Sequence, residues 1–167
     1  MSGVVTVVGN PRPASRTRHV AVEAARTLAE RIGREGPDQV IDLSGLAAQL
    51  YSPEPAGELD AALKTTAEAE VLVVASPTYK GTYTGLLKSF LDLLPGGALR
   101  GTVALPILVM GDPKHALAVE VHLRPLLVEL GAHVPTPGLA VVESQLPALR
   151  EVLDGWRPPI PRPEASP

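Results

Sequence analysis

The chain has 167 residues, one domain's worth, with 45% apolar and 20% charged residues and a mean hydropathy of +0.15, the balance of a globular protein rather than a disordered one. Its net charge is -3, from 15 basic and 18 acidic residues with no basic stripe or acidic run, which argues against nucleic acid as a main partner. There are no cysteines, so disulfides, thiolate metal sites, iron–sulfur clusters and a cysteine nucleophile are excluded together, and any redox chemistry depends on a borrowed cofactor.

Val4–Val8 is a nearly continuous run of β-branched residues, the pattern of a strand buried on both faces. It ends at Gly9 and the turn-rich stretch Asn10-Pro11-Arg12-Pro13-Ala14-Ser15. From Thr17 to about Arg31, Val20, Ala24, Leu28 and Ile32 recur every four residues, which predicts an amphipathic helix stopped by Gly33 and Gly36-Pro37. Gln39–Leu43 reads as a second strand and 44–57 as loop, since Ser52-Pro53-Glu54-Pro55 excludes regular structure. Glu58–Ala69 reads as a second helix. Val71–Ala75 is the clearest buried strand, followed by the loop 76–83 and a helix over about Gly85–Leu94 ended by Pro95-Gly96-Gly97. A fourth strand lies in Thr102–Met110 despite Pro106, a residue awkward in a central strand. After Gly111-Asp112-Pro113, a helix is predicted over Lys114–Leu130, with Pro125 able to kink it and Gly131 capping it. A fifth strand lies within His133–Val142 and a short helix at Gln145–Leu153. Residues 1–155 form the domain, and 156–167, with five prolines, form a proline-rich tail.

Strand and helix alternate about five times, which predicts an α/β fold with a parallel sheet covered on both faces. The N-terminal segment has no basic stretch and no long apolar run, so it reads as neither signal peptide nor spanning helix; the cytoplasm is the expected location, with no membrane partner. In such folds ligands collect beyond the carboxyl ends of the strands, where strand order reverses. That directs attention to the loops 9–17, 76–83 and 111–115.

The first loop opens directly onto a helix, whose free N–H groups and partial positive charge suit an anion. Ser15 and Thr17 add hydroxyls, and Arg12 and Arg16 add charge. With one glycine, no Walker lysine and no Gly-x-Gly-x-x-Gly, the loop suits a monophosphate rather than a diphosphate; the plainer alternative is a helix cap at Ser15 or Thr17. The second loop combines Thr78, Tyr79, Lys80, Gly81 and Tyr83. Its amides and Thr78 suit the edge of a planar ring and a tyrosine suits its face, the alternative being a surface loop with packed tyrosines. His115 and His122 lack a further ligand at metal spacing, so no metal site is expected. No Gly-x-Ser-x-Gly elbow is present, which leaves a serine hydrolase without an anchor. The predicted fourth helix carries Leu117, Val121, Leu123, Leu126, Leu127 and Leu130, more than one buried stripe needs, which points to subunit packing beside the plainer reading of a well-buried helix.

The combination of Gly9-Asn10-Pro11-Arg12 with Ser15-Arg16-Thr17, then Ser76-Pro77-Thr78-Tyr79-Lys80-Gly81 and the run Tyr83 to Pro95, resembles the NADPH-dependent FMN reductases. The stretch from His115 to Leu127 is similar to the branch that supplies reduced flavin to alkanesulfonate-type monooxygenases. The resemblance covers about residues 3–145. It implies a flavodoxin-like three-layer sandwich with strand order 2-1-3-4-5 and reduction of FMN by NADPH or NADH. It implies that Ser15, Arg16 and Thr17, with Asn10 and Arg12 in the same loop, hold the FMN phosphate. Pro77, Thr78, Tyr79, Lys80 and Gly81 would line the isoalloxazine, and Gly111 and Asp112 its far side. No side chain is expected to act as catalytic acid or base, because hydride passes directly to the flavin. A flavin-dependent monooxygenase is the implied partner, and a homodimer or homotetramer the implied assembly. Quinone or azo reduction on the same scaffold, and a non-enzymatic flavin carrier, are the competing functions. The turn Gly111-Asp112-Pro113-Lys114-His115 is one residue shorter than the branch pattern, and its carboxylate calls for Lys114 as a partner.

Overall fold

The computed structural model describes residues 2–54 and 57–160. Five parallel strands, β1 (Ser2–Val8), β2 (Gln39–Asp42), β3 (Ala69–Pro77), β4 (Val103–Met110) and β5 (Leu139–Val142), lie in the order β2-β1-β3-β4-β5. This is the flavodoxin-like order expected. Alternation along β1 sends Val4 and Val8 to one face of the sheet and Val5 and Val7 to the other. The first face is covered by α1 (Arg16–Arg31) and α5 (Leu149–Gly155), through Val20, Ala24, Leu28, Leu149 and Leu153. The second is covered by α2 (Gly57–Ala67) and α3 (Gly85–Leu91), through Leu59, Leu87 and Phe90, and by the segment after β4.

Pro106 is accommodated by strand parity. In β4 the Ala104 N–H reaches the His133 carbonyl, so even-numbered residues face the β5 side. Pairing with β5 begins only at Ile107–Leu139. The missing donor of Pro106 therefore falls where the neighbouring chain has not yet joined the sheet.

Four expectations need correction. The predicted fourth helix is broken into a 3-10 turn at Pro113–His115, a π-helical turn at Val119–Leu123 and α4 (Arg124–Glu129). Pro125 cannot donate to the preceding turn and its ring crowds the carbonyl four residues back, so the turn before it widens. The loop 44–57 is more ordered than its prolines implied: Leu43–Gly45 and Ala47–Gln49 form 3-10 turns, the first capped by Asp42, and Leu43, Leu46 and Leu50 are buried. Pro55 and Ala56 lie outside the described residues. The expected short helix at Gln145–Leu153 is a 3-10 segment, Glu143–Ala148, around Pro147, continued by α5. Finally, Trp156 belongs to the core and not to the tail. It is 5% exposed, its indole N–H donates to the Pro137 carbonyl at 2.8 Å, and Arg31 donates to the carbonyls of Leu153 and Trp156. Burying an indole outweighs the proline content around it. Residues 161–167 of the expected tail lie outside the described residues.

One polar network ties the π-helical turn to the approach to β5. The Glu120 carboxylate accepts from Arg124 at 2.5 Å and from the Gly138 N–H at 2.6 Å, while Arg124 donates to the carbonyls of Val134 and Pro135. The hydrogen bond from Arg124, aided by that of Gly138, holds the Glu120 carboxyl below its ordinary value of 4.5 against the opposing effect of burial. A carboxyl depressed on folding stabilises the protein above its unfolded pKa, and that contribution is lost as pH falls through the folded value. Glu120→Gln is therefore expected to be less stable than the unaltered chain at about pH 7, with the difference shrinking below about pH 4.5. Urea unfolding at a series of pH values checks this; a difference independent of pH would mean that the charge of Glu120 is not what matters.

Candidate functional site

The carboxyl ends of β1 and β3 are joined by one threonine. Thr84 is the N-cap of α3: its hydroxyl accepts from the Leu87 N–H at 3.1 Å and donates to the Gly9 carbonyl at 2.6 Å. Its own N–H donates to Ser76 Oγ at 3.0 Å. Thr84 is 3% exposed, so these bonds form away from water. Gly9, directly after β1, lies close against α3: a Cβ there would meet the Leu87 Cβ at 2.7 Å. The loop leaving β1 is thereby fixed before it turns into α1.

That turn is built from short-range bonds. Asn10 Oδ1 accepts from the Arg12 N–H at 2.9 Å, and Asn10 Nδ2 donates to Thr17 Oγ1 at 3.1 Å. Ala14 takes a positive φ of 50°. Ser15 caps α1 by accepting from the Arg18 N–H at 3.1 Å, which leaves its own O–H able to donate. Cap and anion donor, set against each other on sequence grounds, are thus compatible roles. The Arg16 and Thr17 amides begin the helix and have no helical carbonyl behind them. Between this turn and the ends of β3, β4 and β5 lies a cleft of about 470 Å³, within the size range of small-molecule sites. Arg16 reaches across it to Glu143, Nη1 to Oε2, at 2.8 Å.

The loop after β3 is a tight hairpin. Tyr79 and Thr82 exchange hydrogen bonds at 2.9 and 3.3 Å, with Lys80 at φ 53° and Gly81 at φ 85°. Two successive positive φ values are those of a type I′ turn, which explains the glycine. The Thr78 N–H is spent on the Val109 carbonyl at 2.8 Å and is not available to a ring edge. The Thr78 and Thr82 hydroxyls, in contrast, are buried without a partner. After β4, Asp112 accepts from the Lys114 N–H at 2.9 Å and pairs with its ammonium at 3.1 Å. The backbone bond from Lys114, then the side-chain one, holds the Asp112 carboxyl below its usual range.

Of the residues singled out in the sequence, Asn10, Arg12, Ser15, Arg16, Thr17, Pro77 and Tyr79 line this one cleft. Thr78, Lys80, Gly81, Gly111 and Asp112 do not line it; they sit on the neighbouring loops of the same sheet edge, and a Cβ at Gly111 would meet nothing within 4 Å. Pro13, Ala14, Val109 and Glu143 also line it and were missed. Glu143 had one available signal, its position directly after the last strand.

A family model for NADPH-dependent FMN reductase matches residues 3–146. The FMN reductase (NADPH) of Escherichia coli (strain K12) is 37% identical over 150 residues, covering 86% of this chain and 74% of that protein. The NADH-dependent FMN reductase SfnF of Pseudomonas putida is 32% identical over 145 residues, covering 84% and 78%. The crystal structure of the apo form of an NADH:FMN oxidoreductase (EMOB) superposes with a TM-score of 0.77 at 34% identity, covering 92% of this chain and 87% of that one.

Replacing Thr84 by valine keeps the shape but removes both hydroxyl bonds and leaves the Gly9 carbonyl buried without that donor. A loss of about 2–3 kcal/mol is expected, combining a lost cap with an unsatisfied acceptor. Chemical denaturation measures it; a loss below about 0.5 kcal/mol, within the scatter of an ordinary surface substitution, would deny Thr84 its role.

Proposed function

The chain belongs to the NADPH-dependent FMN reductase family, and we infer that it is an oxidoreductase in which a reduced nicotinamide nucleotide reduces FMN held at the carboxyl edge of the sheet. The observation that carries this reading is the cleft at the start of α1, where first-turn amides, the Ser15 and Thr17 hydroxyls and the cations Arg12 and Arg16 line one space. Such a donor set fits a phosphomonoester, and a single phosphate loop suits FMN rather than FAD. Tyr79, 43% exposed beside the cleft, offers a face to the flavin ring.

When bound, FMN supplies the ring that accepts hydride from the nicotinamide. The chain's own residues bind and orient. Arg16, Ser15 and Thr17 would hold the phosphate, and the hairpin 79–82 and the turn at Gly111 would flank the ring. Lys114 pairs with Asp112 and holds its carboxyl below the usual range. Hydride transfer needs alignment and not an acid or base, and alignment is what these loops provide. A flavin-dependent monooxygenase is the partner implied by the branch that the sequence resembles, and the chain would supply it with reduced flavin. The assembly is a homodimer or homotetramer: Leu117, Val121 and Val128 are 67%, 53% and 53% exposed along the segment after β4, a cost that burial against a second copy removes.

Adding FMN to the purified chain should produce oxidation of NADPH or NADH well above background, and no FMN-dependent oxidation of either would refute the reading. Arg16→Ala should weaken FMN by about 1.5–3 kcal/mol, the worth of a charged hydrogen bond, and leave riboflavin, which lacks the phosphate, nearly unchanged. Equal losses for both flavins would show that Arg16 does not meet the phosphate. In sedimentation the active particle should exceed the 17.5 kDa of one chain; a fully active monomer would refute the assembly.

A further inference from the structure

Arg16 does not stand free in the cleft. Its guanidinium is engaged by Glu143, which lies 127 residues away in sequence and makes no other side-chain hydrogen bond among the described residues. Glu143 opens the 3-10 segment after β5, so the edge of the sheet, and not the anion loop, delivers this carboxylate. The two side chains are 65% and 40% exposed, so neither is locked in place by packing. A phosphomonoester carries up to about two negative charges near neutral pH. At the first turn of α1 it meets a carboxylate lining the same cleft and already holding the cation it needs. Both anions cannot have Arg16 on full terms.

We propose that Glu143 is an internal competitor of the flavin phosphate. It occupies Arg16 in the free protein, opposes entry of the phosphate, and lowers the affinity for FMN. The proposal rests on the FMN reading above and deepens it. Glu143 is an affinity-setting residue that acts through Arg16 and has no part in hydride transfer.

The test is titration of FMN and riboflavin into the full chain and into Glu143→Gln, followed by flavin fluorescence at low and high salt. Glu143→Gln should bind FMN roughly three- to tenfold more tightly at low salt, as expected for removing one partly exposed charge partner. Riboflavin should change less than about twofold, and the gain for FMN should shrink at high salt. Placed on Arg16→Ala, the same substitution should give under about a twofold gain, because the competition has lost its object. Thermal unfolding of each variant confirms that it is folded. Unchanged or weaker FMN binding in Glu143→Gln, an equal gain for riboflavin, or the full gain in the Arg16→Ala background would each overturn the proposal while leaving the FMN reading intact. If the unaltered chain bound neither flavin, the FMN reading and the proposal would fall together.

Discussion

The Thr84 hydroxyl sits where the sheet must end and the site must begin. Buried groups that hydrogen-bond in water have to be satisfied inside the protein, and at this point the carbonyl of Gly9, the first free amides of α3 and the turn of the 76–84 loop all need partners. One side chain serves two of them and its backbone serves the third. The absence of a Cβ at Gly9 lets β1 and α3 come close enough for this to happen. The trajectory of the loop into α1 follows from that anchor, and so does the position of the α1 amides relative to the hairpin that follows β3. A parallel sheet leaves these loops side by side only because β1 and β3 are neighbours running the same way, with the strand order reversing between them.

Around that edge, charge is handled by pairing. Asp112 is matched by Lys114, and Arg16 by Glu143. Both pairs are largely exposed, so each contributes little to stability. Their effect is local: each matches one cation with one carboxylate at this edge of the sheet. Arg12 has no carboxylate within salt-bridge distance among the described residues, whereas Arg16 does. The loop before α1 thus holds one open and one engaged cation.

The segment after β4 is held by a different principle. A proline forces a wide π-helical turn, and Glu120 and Arg124 from this stretch bind the Gly138 amide and the carbonyls of Val134 and Pro135. The network fastens the turn to the approach to β5 while leaving Leu117 and Val121 facing outward.

Much of the architecture was written in local patterns. Runs of β-branched residues marked the strands, a four-residue recurrence marked α1, and the turn-rich Asn10–Ser15 loop marked the N-terminal end of that helix, because each depends only on near neighbours along the chain. Seven of the residues singled out in the sequence meet in the cleft for the same reason: short motifs at the ends of adjacent parallel strands are brought together by the fold class alone. Contacts over long sequence separations were decided elsewhere. Glu143 reaches Arg16, Thr84 reaches Gly9 and Trp156 reaches Pro137, and no periodicity records such meetings. The breaking of the fourth helix at Pro125 and the burial of Trp156 amid prolines belong with them. Propensity is set by a residue's neighbours in sequence, whereas burial and charge pairing are set by its neighbours in space, which exist only once the sheet has closed between its helices.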